Sequence, residues 1–141
     1  MTVQEPNVVA TPGNEPATPA PRSGQLALTV SRPAEQVVVV GASGEIDMLT
    51  APELRAAVLE HLDANDVLVL DLSEVSFLGS AGLAVLVEAS QQGNRRGAGF
   101  RVVAVRRAVT RPLVATGLGE VFSVFASVEE ALAADASTDA R

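Results

Sequence analysis

The feature that most restricts this chain is the apolar run Val67-Leu68-Val69-Leu70, followed after a turn by Leu83, Leu86, Val87 and Ser90 at helical spacing. Four apolar residues rich in β-branching are too few for a helix, and they suit a strand buried on both faces of a parallel sheet. The strand is expected to end at Asp71. Turn chemistry follows, Phe77 and Leu78 return toward the core, and Gly79-Ser80 opens the helical run. Ser80 is therefore the N-cap candidate, and Gly79 and Gly82 leave little side-chain bulk around it. Its hydroxyl is expected to be reachable from solvent at the carboxyl end of a buried strand, where it serves as a helix cap or as a modifiable switch.

The flanking segments alternate strand and helix. Residues 25–31 alternate, with Leu26, Leu28 and Val30 on one face, and residues 37–40 form a second apolar strand. Arg32, Pro33, Ala34 and Glu35 supply the turn of this antiparallel hairpin. Residues 41–47, G-A-S-G-E-I-D, read as a loop, since they have neither the third glycine of a dinucleotide fingerprint nor the G-K-[ST] of a phosphate loop. Thr50 and Glu53 suggest a capping box that opens a helix over 51–62, burying Leu54, Ala57, Val58 and Leu62. Gln92-Gly93 and Gly97-Ala98-Gly99 break the next helix. A strand at 100–105, a helix at 108–116 stopped by Gly117, a strand at 121–125 and a helix opened by Ser127 and Glu130 complete the pattern. This is an α/β arrangement with a mixed, mostly parallel sheet of about five strands and about four helices. Right-handed β-α-β units bring Asp47 and Ser80 to one edge of the sheet, as a surface and not a pocket.

Composition excludes much chemistry. Among 141 residues there is no Cys, no Lys and a single His, His61, so thiolate, Schiff-base and P-loop lysine mechanisms are ruled out, and no metal or cofactor site is expected. His61 falls in the last turn of its helix, where an imidazolium suits the helix dipole. L-G-S-A-G at Ser80 does not have the G-x-S-x-G spacing of a hydrolase, and Asp71 lacks the acidic pair and lysine of a phospho-receiver. The chain thus reads as a binding module and not an enzyme. A net charge of -7 disfavours nucleic acid, and Arg106, Arg107 and Arg111 form the one basic cluster, best explained as a solvated face. No apolar stretch is long enough for a membrane span. Residues 1–24 hold five of the eight prolines and lack a signal-peptide pattern, so they are expected to be a disordered tail on a cytoplasmic domain spanning 25–134, with a second tail at 135–141.

D-L-S-E-V-S-F-L-G-S-A-G-L, from Asp71 to Leu83, with G-E-I-D ending at Asp47 and T-A-P-E-L after it, resembles the signature of STAS-domain anti-sigma factor antagonists of bacterial, and in particular actinobacterial, type. Most members carry an acid where this chain has Gly79, and many carry Ser or Thr in place of Ala81. The resemblance implies a single STAS-like domain whose unphosphorylated form binds an anti-sigma factor with a histidine-kinase-like ATPase fold and so releases a sigma factor. It implies phosphorylation at Ser80 by that partner and reversal by a metal-dependent serine phosphatase. Asp47, Met48, Leu49, Leu78, Gly79, Ser80, Ala81 and Gly82 are then the expected partner-binding residues. Phe77 also lies there, although its apolar character places it in the core. The alternative that the family allows is an accessory or sensory module, serving a transporter or sensing a nucleotide, without serine phosphorylation.

Overall fold

Alternate residues of a strand point to opposite faces, and here each face has its own helical cover. The computed structural model describes residues 25–134. The expected tails, 1–24 and 135–141, lie outside the described residues. Within them the chain runs β1 (Leu26–Ala34), β2 (Val37–Ile46), α1 (Ala51–Ala64), β3 (Val67–Leu78), α2 (Ser80–Arg96), β4 (Gly99–Val103), α3 (Arg107–Thr116), a 3-10 turn (Leu118–Glu120), β5 (Ser123–Phe125) and α4 (Val128–Ala133). The sheet has the order β1-β2-β3-β4-β5, with β1 antiparallel to β2 and the other pairs parallel.

Val38 and Val40 of β2, Leu68, Leu70 and Leu72 of β3, and Phe100 and Val102 of β4 face one core. Leu54, Val58 and Leu62 of α1, Leu86 and Ala89 of α2, and Val109 and Leu113 of α3 close it. The intervening residues Val39, Val69 and Val103 face a smaller cluster under Ala131 of α4. Each fully buried leucine or valine contributes about 1.5–3 kcal/mol, so the three-helix face dominates stability. Arg55 of α1 holds Glu88 of α2 through two hydrogen bonds of 2.7 and 2.6 Å. That bonding lowers the Glu88 carboxyl below its ordinary pKa and raises Arg55. The pair therefore helps the fold above the ordinary carboxylate pKa and is lost as pH falls through the lowered value, a small effect at so exposed a place.

Several boundaries differ from the sequence reading. β1 continues to Ala34 through a bulge between Ser31 and Ala34, leaving a turn at Glu35 and Gln36. Gln36 takes φ 63°, and its carbonyl accepts from the amides of both Asp66 and Val67, which anchors the hairpin to the start of β3. β2 does not stop at Val40, nor β3 at Asp71. They stay paired to Ile46 and Leu78 through register shifts at Gly41/Ser43 and Gly44/Glu45. Bulges destroy the two-residue alternation from which a strand is recognised, so this extension looks like loop in the sequence. α1 runs two residues past Leu62, ending where the Asn65 side chain donates to the His61 carbonyl at 2.8 Å. Gly93 is buried inside α2 and does not end it; glycine stands there because a Cβ would come within 2.9 Å of the Ala98 carbonyl oxygen. The last strand begins at Ser123, after the 3-10 turn.

Gly97 at φ 73° and Gly117 at φ 75° end α2 and α3. Nothing lies within 4 Å of a Cβ built on Gly97, so only backbone strain opposes a side chain there. Gly97→Ala is expected to cost about 1 kcal/mol in urea unfolding, and Gly97→Asn less, since asparagine tolerates the left-handed region. Equal losses for both would mean that something other than φ is at work.

Candidate partner-binding surface

Leu78 pairs with Ile46 at the end of the extended β2–β3 ladder, and the Gly79 amide donates to the Ile46 carbonyl at 2.9 Å. Both strands turn off the sheet at this point. Asp47 leads into one turn and Ser80 into α2, so the two residues expected at one edge are brought to it.

Gly79, and not Ser80, occupies the cap position of α2, with extended backbone at φ -92° and ψ -178° and no side-chain cap. Ser80 is the first helical residue, exposed, and its hydroxyl bonds none of the first-turn amides. A serine before an apolar run gives the same sequence signal at either position, which is why the cap was misplaced by one residue. The first turn of α2 carries no acid of its own to offset the positive end of the helix.

Asp47 closes the neighbouring turn. Its Oδ1 accepts from the amides of Leu49 at 2.9 Å and Thr50 at 3.1 Å, while its own amide donates to Thr50 Oγ1 at 2.9 Å. The buried Thr50 hydroxyl donates in turn to the Glu45 carbonyl at 2.9 Å. The expected Thr50/Glu53 capping box therefore does not form, because the threonine oxygen is committed to the turn behind it. This arrangement holds up Met48 and Leu49 at 74% and 81% exposure. Phe77, expected in the core, is 50% exposed.

The remaining expected contacts divide by depth. Gly79 and Ala81 are half-buried, whereas Leu78 and Gly82 are buried and support the surface from below. A Cβ at Gly82 would stand 2.5 Å from Ile46 Cγ2 and 2.6 Å from Leu78 Cδ1, so glycine lets α2 seat directly on the strand ends. Ile46, fully buried, is the joint that sequence reasoning missed. Its signal was one apolar residue between Glu45 and Asp47, legible only once the segment is known to be a strand. Asp71 is not at this surface; its Oδ1 accepts from the Ser73 amide at 3.0 Å. Arg106 pairs with Glu74 at 3.5 Å, both exposed, and Arg107 and Arg111 are exposed on α3. Among the described residues no cluster of His, Asp and Glu is arranged to hold a metal, and no helix is long and apolar enough to cross a membrane.

The sequence pattern of the STAS domain matches residues 30–131. The chain belongs to the STAS family. Its relatives include the anti-sigma-F factor antagonist RsfB of Mycobacterium tuberculosis, 39% identical over 97 residues that make up 68% of this chain and 79% of RsfB. RsfA of the same organism is 33% identical over 117 residues, 81% of this chain and 91% of RsfA. The crystal structure of an anti-sigma factor antagonist from Mycobacterium paratuberculosis superposes with a TM-score of 0.73 at 38% identity, covering 79% of this chain and 95% of that one. The resemblance carried by residues 71–83 thus extends over the STAS domain, actinobacterial likeness included.

The half-buried carboxylate of Asp47 has a structural duty in this turn. Asp47→Ala is expected to lose about 1 kcal/mol, because the Leu49 amide is left without its acceptor and the Thr50 amide keeps only the Asp47 carbonyl at 3.2 Å, whereas Asp47→Asn keeps Oδ1 and should stay near the wild type. Chemical denaturation of both variants checks this, and an Asp47→Ala domain as stable as the wild type would free Asp47 from the turn.

Proposed function

We propose that this chain is an anti-sigma factor antagonist: unphosphorylated, it binds an anti-sigma factor and so releases a sigma factor to activate transcription, and phosphorylation of Ser80 ends the complex. The observation that carries this reading is the Ser80 hydroxyl, exposed on the first turn of α2 and unused by the helix. A hydroxyl with no structural duty is available for modification at little cost to the fold. Between Glu74 and Glu88 the sequence contains no charged residue, so a phosphate would change the character of this surface. The names borne by RsfB and RsfA support the same reading over a transporter or sensory accessory.

The partner is an anti-sigma factor with a histidine-kinase-like ATPase fold acting on Ser80 with Mg-ATP. The Ser80 oxygen bonds to the γ-phosphorus, the bond to the ADP oxygen breaks, and the hydroxyl proton passes to a base on the partner. The chain is then a kinase substrate and not a catalyst, and a metal-dependent serine phosphatase returns it to the binding form. The phosphate adds a charge of about -1.5 to -2 at a helix N-terminus, which the dipole tolerates within the domain. Docked against a partner, the same charge is desolvated without a counter-ion, which costs several kcal/mol. Asp47, Met48 and Leu49 frame the surface on the other side of Ile46. Sigma-factor control places the domain in the cytoplasm.

Ser80→Ala is expected to change stability by less than about 0.5 kcal/mol, since no cap bond is lost, and to bind like the wild type while remaining unphosphorylated. Ser80→Asp adds charge at the favourable end of the helix and should be at least as stable, yet bind at least about tenfold more weakly. The measurement is titration of each variant into recombinant anti-sigma-F factor of Mycobacterium tuberculosis, with mass spectrometry of the wild type after incubation with it and Mg-ATP. Equal affinities for the Ala and Asp variants, with no phosphate on Ser80, would overturn this function.

A further inference from the structure

β3 pairs with β4 only as far as Asp71, opposite Val103, and beyond it keeps β2 as its strand neighbour. Phe77 lies on this extension. Of the four phenylalanines, Phe100 and Phe122 are 6% and 8% exposed and Phe125 is half-buried, but Phe77 is 50% exposed. Its ring rests against Gly79: a Cβ built on Gly79 would stand 3.1 Å from Phe77 Cε2 and 3.4 Å from Cζ. The ring therefore lies alongside the residue that precedes Ser80.

Glycine at position 79 is not explained by the backbone. Its φ of -92° with ψ of -178° is open to any residue, and Ser, Asp or Asn would cap α2 better. The chain does use such a cap elsewhere, where Ser127 Oγ accepts from the Glu130 amide at 3.1 Å. Beyond the ring, the nearest atom to a Cβ at 79 is the Ile46 carbonyl oxygen, at 3.6 Å, an ordinary contact. What glycine preserves is the place of the ring. Two local rules are broken two residues apart, an uncapped helix and an aromatic left in water, and both exceptions border the proposed phosphorylation site.

We propose that Phe77, seated on the bare Cα of Gly79, is a specificity-determining anchor of the Ser80 surface, received by an apolar pocket of the anti-sigma factor. This rests on the function proposed above and names what the partner reads besides the charge of Ser80. The ring's own segment carries no charge between Glu74 and Glu88, and across the ladder its register partner is Glu45, so the pocket that receives the ring is apolar with no acid facing that side. Phe77 is continuous with Ser80, so one docked partner covers both. Half-exposed aromatic rings that fill a partner's pocket are common centres of binding energy.

The test is a double-mutant cycle in the Ser80-unmodified chain, titrated into recombinant anti-sigma-F factor of Mycobacterium tuberculosis, with a thermal melt of each variant. Phe77→Ala is expected to melt near the wild type and to bind at least about tenfold more weakly, with Phe77→Leu between the two. Gly79→Ala should weaken binding several-fold in the native background and have no further effect in the Phe77→Ala background, because it acts by moving the ring. Phe77→Ala binding as tightly as the wild type, while Ser80→Asp still loses affinity, overturns the anchor and leaves the proposed function standing. The same loss from Gly79→Ala with and without the ring overturns the role of Gly79 as its seat. Failure of the unmodified wild-type chain to bind overturns the function and the anchor together.

Discussion

The hydrogen bond from the Gly79 amide to the Ile46 carbonyl, 2.9 Å long, is the constraint on which the end of the sheet that carries Asp47 and Ser80 depends. It is the last rung between the two central strands, and it fixes where each leaves the sheet. Breaking it would leave the half-buried Gly79 amide without its acceptor, so neither strand end can shift without losing this bond or dragging the other along. The Ile46 side chain completes the joint, since its Cγ2 lies where a side chain on Gly82 would be. The helix that carries Ser80 and the turn that carries Asp47 are thereby held on a single buried residue.

That joint explains a division of labour among neighbours in sequence. Leu78 and Gly82 are buried and set the height of α2, while Ser80, Met48, Leu49 and Phe77 stand in water. The turn from Asp47 to Thr50 satisfies its own polar groups, so the exposed apolar side chains are presented by a rigid backbone. Preorganisation of this kind reduces the ordering entropy lost on binding.

How much of this was legible in the sequence depended on whether regular periodicity survived. The runs at Val67–Leu70 and Val37–Val40 are buried from their second residue onward, and they were readable because strands buried on both faces are continuously apolar. The Ser127 cap and the Gly117 stop were readable because their chemistry is local. Extension of both strands was not, since small and polar residues at bulges resemble a loop. Nor was the exposure of Phe77: an aromatic residue is expected inside, yet this one lies outside on the part of β3 that β4 no longer pairs, where Val75 and Leu78 are buried. The edge of the sheet at which Asp47 and Ser80 meet was correctly expected, yet which residue caps α2 and which merely follows the cap was invisible, for the two differ by backbone dihedral and not by type.

The hairpin strand β1 is the outer strand of the described sheet, and its far end is bulged between Ser31 and Ala34, where Arg32 and Pro33 sit. Proline has no amide to offer a further strand, arginine resists burial, and a bulge twists the edge out of register. Another chain is thereby discouraged from extending this sheet sideways. This flank is closed to strand addition, while the end of the β2–β3 ladder, with Met48, Leu49 and Phe77 exposed, stays open.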